Sequence, residues 1–400
     1  MTKAGMPAGL GALFLSVFIG LMGFGVLLPV FPFWGRALGT DPAMITLAMG
    51  AYSLGQFLGA PLWGRLSDSH GRRPVLLWSL LGGAASYAMM AFADSIWMLG
   101  LARLFGGLMA GNIAVAFAYV GDVVPDEGRP RAMGLLGAAF GLGFIFGPAI
   151  GGLVAGDAPG PAEFARVAWV SVAITLVAVV AVWRQLPESM TPDRRAASKA
   201  SGGGPTAREL LRQKPAVLGL ILLVLIVIGS AAMMETTFAL FADDRLGWSP
   251  RDVGLAFAFI GIVSALIQGA GAAPLARRFG ATRVALGGIT AYALGMLALA
   301  MASGTPSVLA ALAMTATGVG MFNPAYQTMV AATTSDADRG MVNGLTQGGS
   351  AVGRIIGPAV SGAIFQGLGP AMPFLIGSAV MIVAFALAIS AGRQLRAAHA

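Results

Sequence analysis

The chain has 400 residues, 57% of them apolar and 10% charged, with a formal net charge of +8. Soluble proteins carry about 25% charged residues, so this composition excludes a water-soluble surface and indicates an integral membrane protein. There is no cysteine and there are two histidines, so we expect no disulfide, no metal site and no cofactor. The cations lie between apolar segments, which favours membrane orientation over nucleic-acid binding.

Apolar segments of about 20 residues, the length needed to cross a bilayer, occur twelve times along the chain. They predict an all-α membrane protein of twelve transmembrane helices in two six-helix bundles. We expect the first segment to remain as a helix, because no cleavage signal follows it. The predicted spans are roughly residues 10–33, 43–63, 75–93, 97–120, 132–155, 165–184, 216–241, 253–273, 284–302, 306–331, 341–366 and 371–391.

The distribution of cations predicts the orientation. An even number of spans places both termini on one side, and 19 of the 25 lysines and arginines fall on that side. The positive-inside rule therefore predicts cytoplasmic N- and C-termini. The hydrophilic stretch 185–215 predicts a flexible cytoplasmic linker between bundles at 1–184 and 216–400, with a short surface helix at 206–214.

An internal repeat supports the two bundles. Gly147-Pro148 and Gly357-Pro358 are separated by 210 residues, and Gly143 and Gly353 share that offset. The segment Leu66–Gly71 corresponds to Leu275–Gly280 at an offset of 209. Two parallel repeats of six helices indicate a transporter with a substrate path between its halves.

The charged stretch between the second and third spans contains one acid among several arginines. Gly64 and Gly71 permit unusual backbone geometry or close helix approach, and Asp68 can pair with an arginine of its own turn. The stretch resembles the signature of the major facilitator superfamily, which implies that Asp68 and Arg72 lock the cytoplasmic side, with Arg73 beside them. An ordinary positive-inside loop is the alternative.

Span four contains Arg103 and ends near Asp122. An arginine within a span costs at least about 2.5 kcal/mol, so it needs a partner, a water-filled cavity or a snorkelling path. The segment resembles helix four of tetracycline-efflux pumps, which implies proton handling by Arg103 and a functional Asp122. Two positions depart from that subfamily: Gly20 replaces an aspartate, and span nine has no acid. Coupling therefore cannot use those two acids, which disfavours tetracycline as the substrate.

Span five carries Gly143, Gly147, Pro148, Gly151 and Gly152. Proline removes a helix hydrogen bond and glycines thin the helix surface, so this pattern predicts a kink and a close helix contact. Generic membrane packing is the alternative. The string resembles the antiporter signature of proton-coupled drug exporters, which implies export.

Glu235 in span seven and Arg354 in span eleven are further charges within the membrane. Buried charges are costly, so an acid here is a candidate for proton coupling. Their predicted depths differ by roughly 9 Å at 1.5 Å rise per residue, so direct pairing needs a tilted helix or an extended arginine. A structural salt bridge or a solvated glutamate is the alternative.

Polar residues recur at helical spacing on several spans, which favours a cavity lined by amides, aromatic rings and methionines. On span eleven, Asn343, Gln347, Ser350 and Arg354 share one face. Such a pocket suits amphiphilic molecules, although for any single residue helix packing is the alternative. The candidate lining residues are Tyr52, Gln56, Asn112, Phe144, Met234, Phe238, Gln268, Asn323, Gln327 and Gln347.

These features predict a monomeric, non-enzymatic transporter that exports small amphiphilic molecules or drugs in exchange for protons. The expected partners are the substrate, protons and the lipid bilayer, without nucleic acid, and the expected location is a bacterial inner membrane. One alternative is export of an endogenous metabolite, lipid or siderophore. Another is a non-transporting membrane receptor.

Overall fold

A computed structural model describes residues 9–191, 207–334 and 338–399 of the chain. Over these residues the protein is helical and contains no β-strand. Twelve helices are long and apolar enough to cross a membrane, which confirms the predicted number. In chain order, α1 to α12 are Leu10–Ala37, Pro42–His70, Arg72–Ala91, Ile96–Val123, Arg131–Ala155, Pro161–Gln185, Pro215–Leu246, Pro250–Gly269, Ala281–Met301, Thr305–Thr333, Arg339–Leu368 and Met372–Leu395.

The charged stretch between α2 and α3 is mostly helical. α2 continues to His70 and α3 begins at Arg72, so only Gly71 separates them. Hydropathy locates the part of a helix that lies in lipid, whereas polar residues extend the same helix into water. Gly71 has φ 107° and ψ 158°, a backbone conformation that side chains disfavour.

Three of the helices are irregular. α1 is interrupted between Leu27 and Phe31, and α4 between Met109 and Asn112. At the second break the Trp63 ring lies where a side chain of Gly111 would be. After Leu266, α8 passes through a π-helical turn at Ile267–Gly271, a form that often marks functional positions.

The glycine repeat packs in the same way in both bundles. In the first, Gly143 and Gly147 of α5 lie against the α1 backbone near Met22 and Gly25. In the second, the α7 backbone around Gly229 takes the corresponding place opposite Gly353 and Gly357. A side chain at any of these four α5 and α11 positions would collide with the facing backbone, so the predicted close helix contact is confirmed.

The chain separates into two compact units. One comprises Met1–Thr40, Ala51–Gly202 and Ser249–Ala258; the other comprises Asp41–Gly50, Gly203–Trp248 and Phe259–Ala400. Each unit thus includes a short piece of the other half of the sequence. A seven-residue helix at Ala207–Gln213 confirms the predicted surface helix, while residues 192–206 of the predicted linker lie outside the described residues. The three-part division of the chain stays a prediction.

Candidate functional site

Arg72 is the centre of a group of polar contacts that joins three helices. Its Nη1 lies 2.6 Å from Asp68 Oδ1 at the end of α2, and its Nε lies 3.1 Å from Asp122 Oδ2 at the end of α4. Nη1 also donates to Ser67 Oγ. The Arg72 side chain is 8% exposed, whereas that of Asp68 is 44% exposed. Two carboxylates therefore hold one buried guanidinium through charge-assisted hydrogen bonds.

Glu188, which the sequence analysis missed, completes this group. Its Oε1 accepts a hydrogen bond from the Arg72 N–H at 2.8 Å, and its Oε2 accepts one from the Arg73 N–H at 3.1 Å. These are among the N–H groups at the start of α3 that have no partner within the helix. Ser189 Oγ then donates to Asp122 Oδ2 at 2.9 Å. The signal in the sequence was an acid directly after span six. We call Ser67, Asp68, Arg72, Asp122, Glu188 and Ser189 the Arg72 cluster.

The start of the predicted flexible linker is thereby held in place. The Glu188 carboxylate also accepts the backbone N–H groups of Ser189 and Met190, each at 2.9 Å. Leu186 and Met190 are buried on either side of it. The expectation of flexibility is wrong for this segment, because buried side chains and a helix-capping carboxylate fix it against the first unit.

The glycines and the second arginine of the predicted latch have different surroundings. A Cβ on Gly71 would fall against the Glu188 carboxylate, so glycine is required there by space as well as by φ. Gly64 lies within α2, with nothing within 4 Å of a built Cβ. The predicted reason for a glycine at Gly64 is therefore wrong, since neither a turn nor a close approach occurs there. Arg73 Nη2 donates to the Trp183 carbonyl.

Arg103 lies inside the first bundle and does not reach solvent. It is 3% exposed, and its guanidinium carbon is 4.6 Å from the ring centre of Tyr52, 5.2 Å from that of Phe24 and 5.8 Å from that of Phe31. Cation–π contacts of this kind offset part of the cost of burying a cation. Its Nε is buried and has no hydrogen-bond partner among the described residues.

Glu235 and Arg354 lie in the second unit. Glu235 is half-buried on α7 and Arg354 is exposed on α11. Gly353, beside the arginine in the sequence, packs on Gly229 of α7, so the helices that carry the two charges are in close contact.

The cavity candidates of the first unit form an aromatic group. The ring of Phe24 lies 5.0 Å from that of Tyr52 and 6.4 Å from that of Phe144. Gln56 is half-buried one turn after Tyr52. The side chain of Asn112 lies outside the described residues. Of these candidates, Tyr52 and Phe144 are therefore brought together around Phe24, and the Arg103 guanidinium lies over the rings of Tyr52 and Phe24.

The cavity candidates of the second unit are dispersed. Phe238 is fully buried, with its ring edge-on to that of Trp248 at 6.1 Å, and Met234 is 5% exposed. Both pack inside the bundle, and their place in the lining of a mixed pocket stays a prediction. Asn323 is half-buried. The exposed amides are Gln268, Gln327 and Gln347.

The predicted polar face of α11 is incomplete. Asn343, Gln347 and Arg354 are exposed. Ser350 is buried, and its hydroxyl donates to the Thr346 carbonyl at 3.2 Å. Helical spacing alone did not reveal this, because a serine can satisfy its hydroxyl on its own helix.

The remaining glycines of the α5 motif also make close contacts. Gly151 faces the Val26 backbone of α1, and Gly152 faces Pro250 and Gly254 at the start of α8, within the same unit. Pro148 lies inside an unbroken helix. The motif thus provides a small-residue surface along which backbones approach closely.

The sequence model described as the Major Facilitator Superfamily matches residues 13–272 and 236–397. The chain belongs to the Major Facilitator Superfamily. As a superfamily member with twelve membrane-length helices, it is an integral, multi-pass membrane transporter of small molecules.

Several named proteins are similar to this superfamily member. It is 32% identical to the class E tetracycline resistance protein of Escherichia coli, over 88% of this chain and 86% of that protein. It is 28% identical to Multidrug resistance protein 2 of Bacillus subtilis (strain 168), over 93% and 92% of the two chains. The crystal structure of the human organic anion transporter MFSD10 (TETRAN) matches 95% of this chain and 98% of that chain, with a TM-score of 0.69 and 25% identity.

Proposed function

We propose that this transporter exports small amphiphilic molecules in exchange for protons, by alternating access, across a bacterial inner membrane. The proposal places both termini in the cytoplasm and takes the monomer as the working unit. The observation that carries it is the position of Glu235, an acid within the membrane helix α7, which packs closely on α11, the helix that carries Arg354.

Glu235 has the properties that proton coupling needs. A charged carboxylate in a membrane helix is costly unless a cation or water compensates it. Binding a proton removes the charge of Glu235 and with it the electrostatic attraction between Glu235 and Arg354. The protonated and the charged glutamate therefore favour different arrangements of the surrounding residues. In this proposal the proton and the substrate occupy the transporter in different steps of the cycle.

The Arg72 cluster serves as the cytoplasmic latch in this proposal. Its ion pairs join the ends of α2, α3 and α4, and they hold these ends together only while Asp68 and Asp122 are charged. Protonation of Asp122 would remove one of the two carboxylates that hold Arg72. Protonation of Glu235 or Asp122 thereby biases the transporter between its inward- and outward-open states.

Export of drug-like molecules is supported by the names of the relatives. Tetracycline and multidrug resistance proteins match about nine-tenths of the chain. Within the first unit, the rings of Phe24, Tyr52 and Phe144 lie together and the Arg103 guanidinium lies over the first two, a mixture of apolar and polar groups that suits amphiphilic molecules. A second candidate is export of an endogenous metabolite, lipid or siderophore. Gly20 and the acid-free α9 favour it, because both depart from the tetracycline pumps.

The test is substrate-induced proton movement in proteoliposomes loaded with a pH-sensitive dye. Wild type is compared with Glu235→Gln and Asp122→Asn, using a panel of cationic, neutral, anionic and zwitterionic drugs. Glu127→Gln, which removes an exposed acid just beyond α4, is the control and should behave as wild type. Proton movement that is lost in Glu235→Gln supports the proposal. Full proton-driven export by both variants would contradict it, and activity only with cell-extract compounds would favour the second candidate.

A further inference from the structure

The first unit contains a small, partly open pocket beside Arg103. The pocket has about 40 Å³ of space, and roughly 10–15 Å³ of such space holds one water molecule. It therefore fits a group of two or three heavy atoms. Its lining combines one cation, several hydroxyl groups and small residues: Gly20, Tyr52, Ser79, Leu80, Gly83, Ser86, Tyr87, Arg103, Gly106, Met109, Ala110 and Thr175.

The positive charge in this pocket lacks a compensating carboxylate. The titratable groups that act on the Arg103 guanidinium are Tyr52 and Tyr87, and among the described residues no acid joins them. Its Nε has no hydrogen-bond partner. A buried ion loses several kcal/mol of solvation, and the three rings over Arg103 offset part of that loss without accepting a hydrogen bond from its Nε. An anion beside the guanidinium would supply both the opposite charge and the acceptor.

Gly20 supplies the room for such an anion. It stands on α1 and lines the pocket with no side chain of its own. Two serine hydroxyls of the pocket already donate hydrogen bonds: Ser86 Oγ donates to the Ala102 carbonyl and Ser79 Oγ to the Met109 carbonyl. The unpaired donor is the Arg103 Nε, and the phenol groups of Tyr52 and Tyr87 lie beside it.

We propose that the Arg103 pocket binds a small monovalent anionic group, either the carboxylate of an amphiphilic substrate or a free halide. The carboxylate source rests on the proposed function and narrows its substrates to amphiphilic acids. The halide source is independent of it. In both, the anion lies against the guanidinium of Arg103, in the space beside Gly20.

The experiment measures anion binding to the purified full-length protein in nanodiscs, without a proton gradient. The buffer is free of chloride, its own anion is too large for the pocket, and the probes are sodium chloride and sodium acetate. Anion binding raises the melting temperature in a saturable way, because only the folded protein holds the anion. We expect saturable stabilisation of wild type by at least one probe.

Two variants and two controls test the site. Arg103→Gln should weaken binding by about tenfold or more, as expected for loss of a hydrogen bond between charged groups. Gly20→Asp should do the same by supplying an internal carboxylate, and this test does not depend on the folding of Arg103→Gln. Gly20→Asn has the same size without the charge and should retain binding. Arg166→Gln removes an exposed arginine of α6 and should also retain it.

The outcomes separate the sources. Competition between chloride and an amphiphilic acid such as naphthalene acetate identifies the substrate carboxylate as an occupant. Chloride binding without such competition identifies a halide site. Equal anion binding by wild type, Arg103→Gln and Gly20→Asp would overturn the proposal. Equal loss of binding in Gly20→Asp and Gly20→Asn would overturn it too, because the volume of the new side chain and not its charge would then prevent binding. Because no transport is measured, a failure of proton-coupled export leaves this result intact.

Discussion

The turn between α2 and α3 and the turn between α8 and α9 have similar backbone dihedral angles, but the charged groups around them differ. Gly71 has φ 107° and ψ 158°, and Gly280 has φ 84° and ψ 149°. Each glycine is followed directly by a new helix, beginning at Arg72 and at Ala281. The repeat has therefore preserved the helix-turn-helix geometry in both halves of the sequence.

The charged side chains around the two glycines differ. In the first half, Arg72 is buried between Asp68 and Asp122. In the second half, the residues that correspond to Asp68 and Arg72 at the offset of 209 are Arg277 and Ala281. Arg277 and Arg278 are exposed, and the Arg278 guanidinium lies over the ring of Phe279 at 5.3 Å. Backbone geometry follows from the glycine alone, whereas the ion pairs require acids from several elements.

The largest expected effect comes from breaking the cluster at its centre. Arg72→Gln leaves Asp68 and Asp122 without their shared cation. We expect the free energy of unfolding to fall by an amount near the lower end of about 3–5 kcal/mol, because Asp68 is half-exposed. We also expect transport to be lost. Thermal unfolding and proteoliposome transport measure the two effects. Arg278→Gln is the matched change in the second turn and should be close to wild type. Similar losses in both variants would show that the cluster has no special role.

The two glycines offer a second comparison. Alanine at either Gly71 or Gly280 adopts a strained backbone at a cost of about 1–3 kcal/mol. At Gly71 the new methyl group also meets the Glu188 carboxylate, whereas nothing lies within 4 Å at Gly280. Gly71→Ala should therefore lower the melting temperature more than Gly280→Ala. Equal shifts would mean that the Glu188 contact adds nothing.

Glu188→Gln tests the capping contact with a smaller expected effect. The substitution keeps hydrogen-bonding capacity but removes a negative charge from the start of α3, which should cost about 0.3–1 kcal/mol. The change in unfolding midpoint should shrink at high salt, because charge–dipole interactions are screened. Asp94→Asn, an exposed acid in the loop before α4, serves as the control. A salt-independent loss would contradict the electrostatic explanation.

Gly64→Ala should have the smallest effect and the opposite sign. Gly64 lies within α2 with open space around it, and alanine stabilises a helix interior by about 0.5–1 kcal/mol relative to glycine. The equivalent residue in the second half is already Ala273. We expect a slightly higher melting temperature with unchanged transport, and a destabilised variant would restore the predicted need for glycine in this latch.

The helices were predictable from the sequence for a physical reason, whereas the family was predicted from the resemblance of its motifs. A bilayer demands about 20 apolar residues per crossing, and that demand is visible in composition alone. The Asp68–Arg72 contact was also within reach, because an acid and an arginine four residues apart in one short charged turn are close enough to pair. The glycines repeated at an offset of 210 residues likewise indicated which parts of α5 and α11 make close helix contacts. In the structure these parts pack on α1 and α7.

The sequence by itself thus determined the number of helices, the repeat and the local ion pair. Only the tertiary structure decided that Glu188 would cap a helix 116 residues earlier and that Phe238 would be buried in the interior of its bundle. It also decided that Arg103 would be buried beside Gly20 and that no carboxylate of the described residues would pair with it. Composition and spacing report on neighbours along the chain and on the solvent each segment needs, whereas these contacts arise only when distant segments pack.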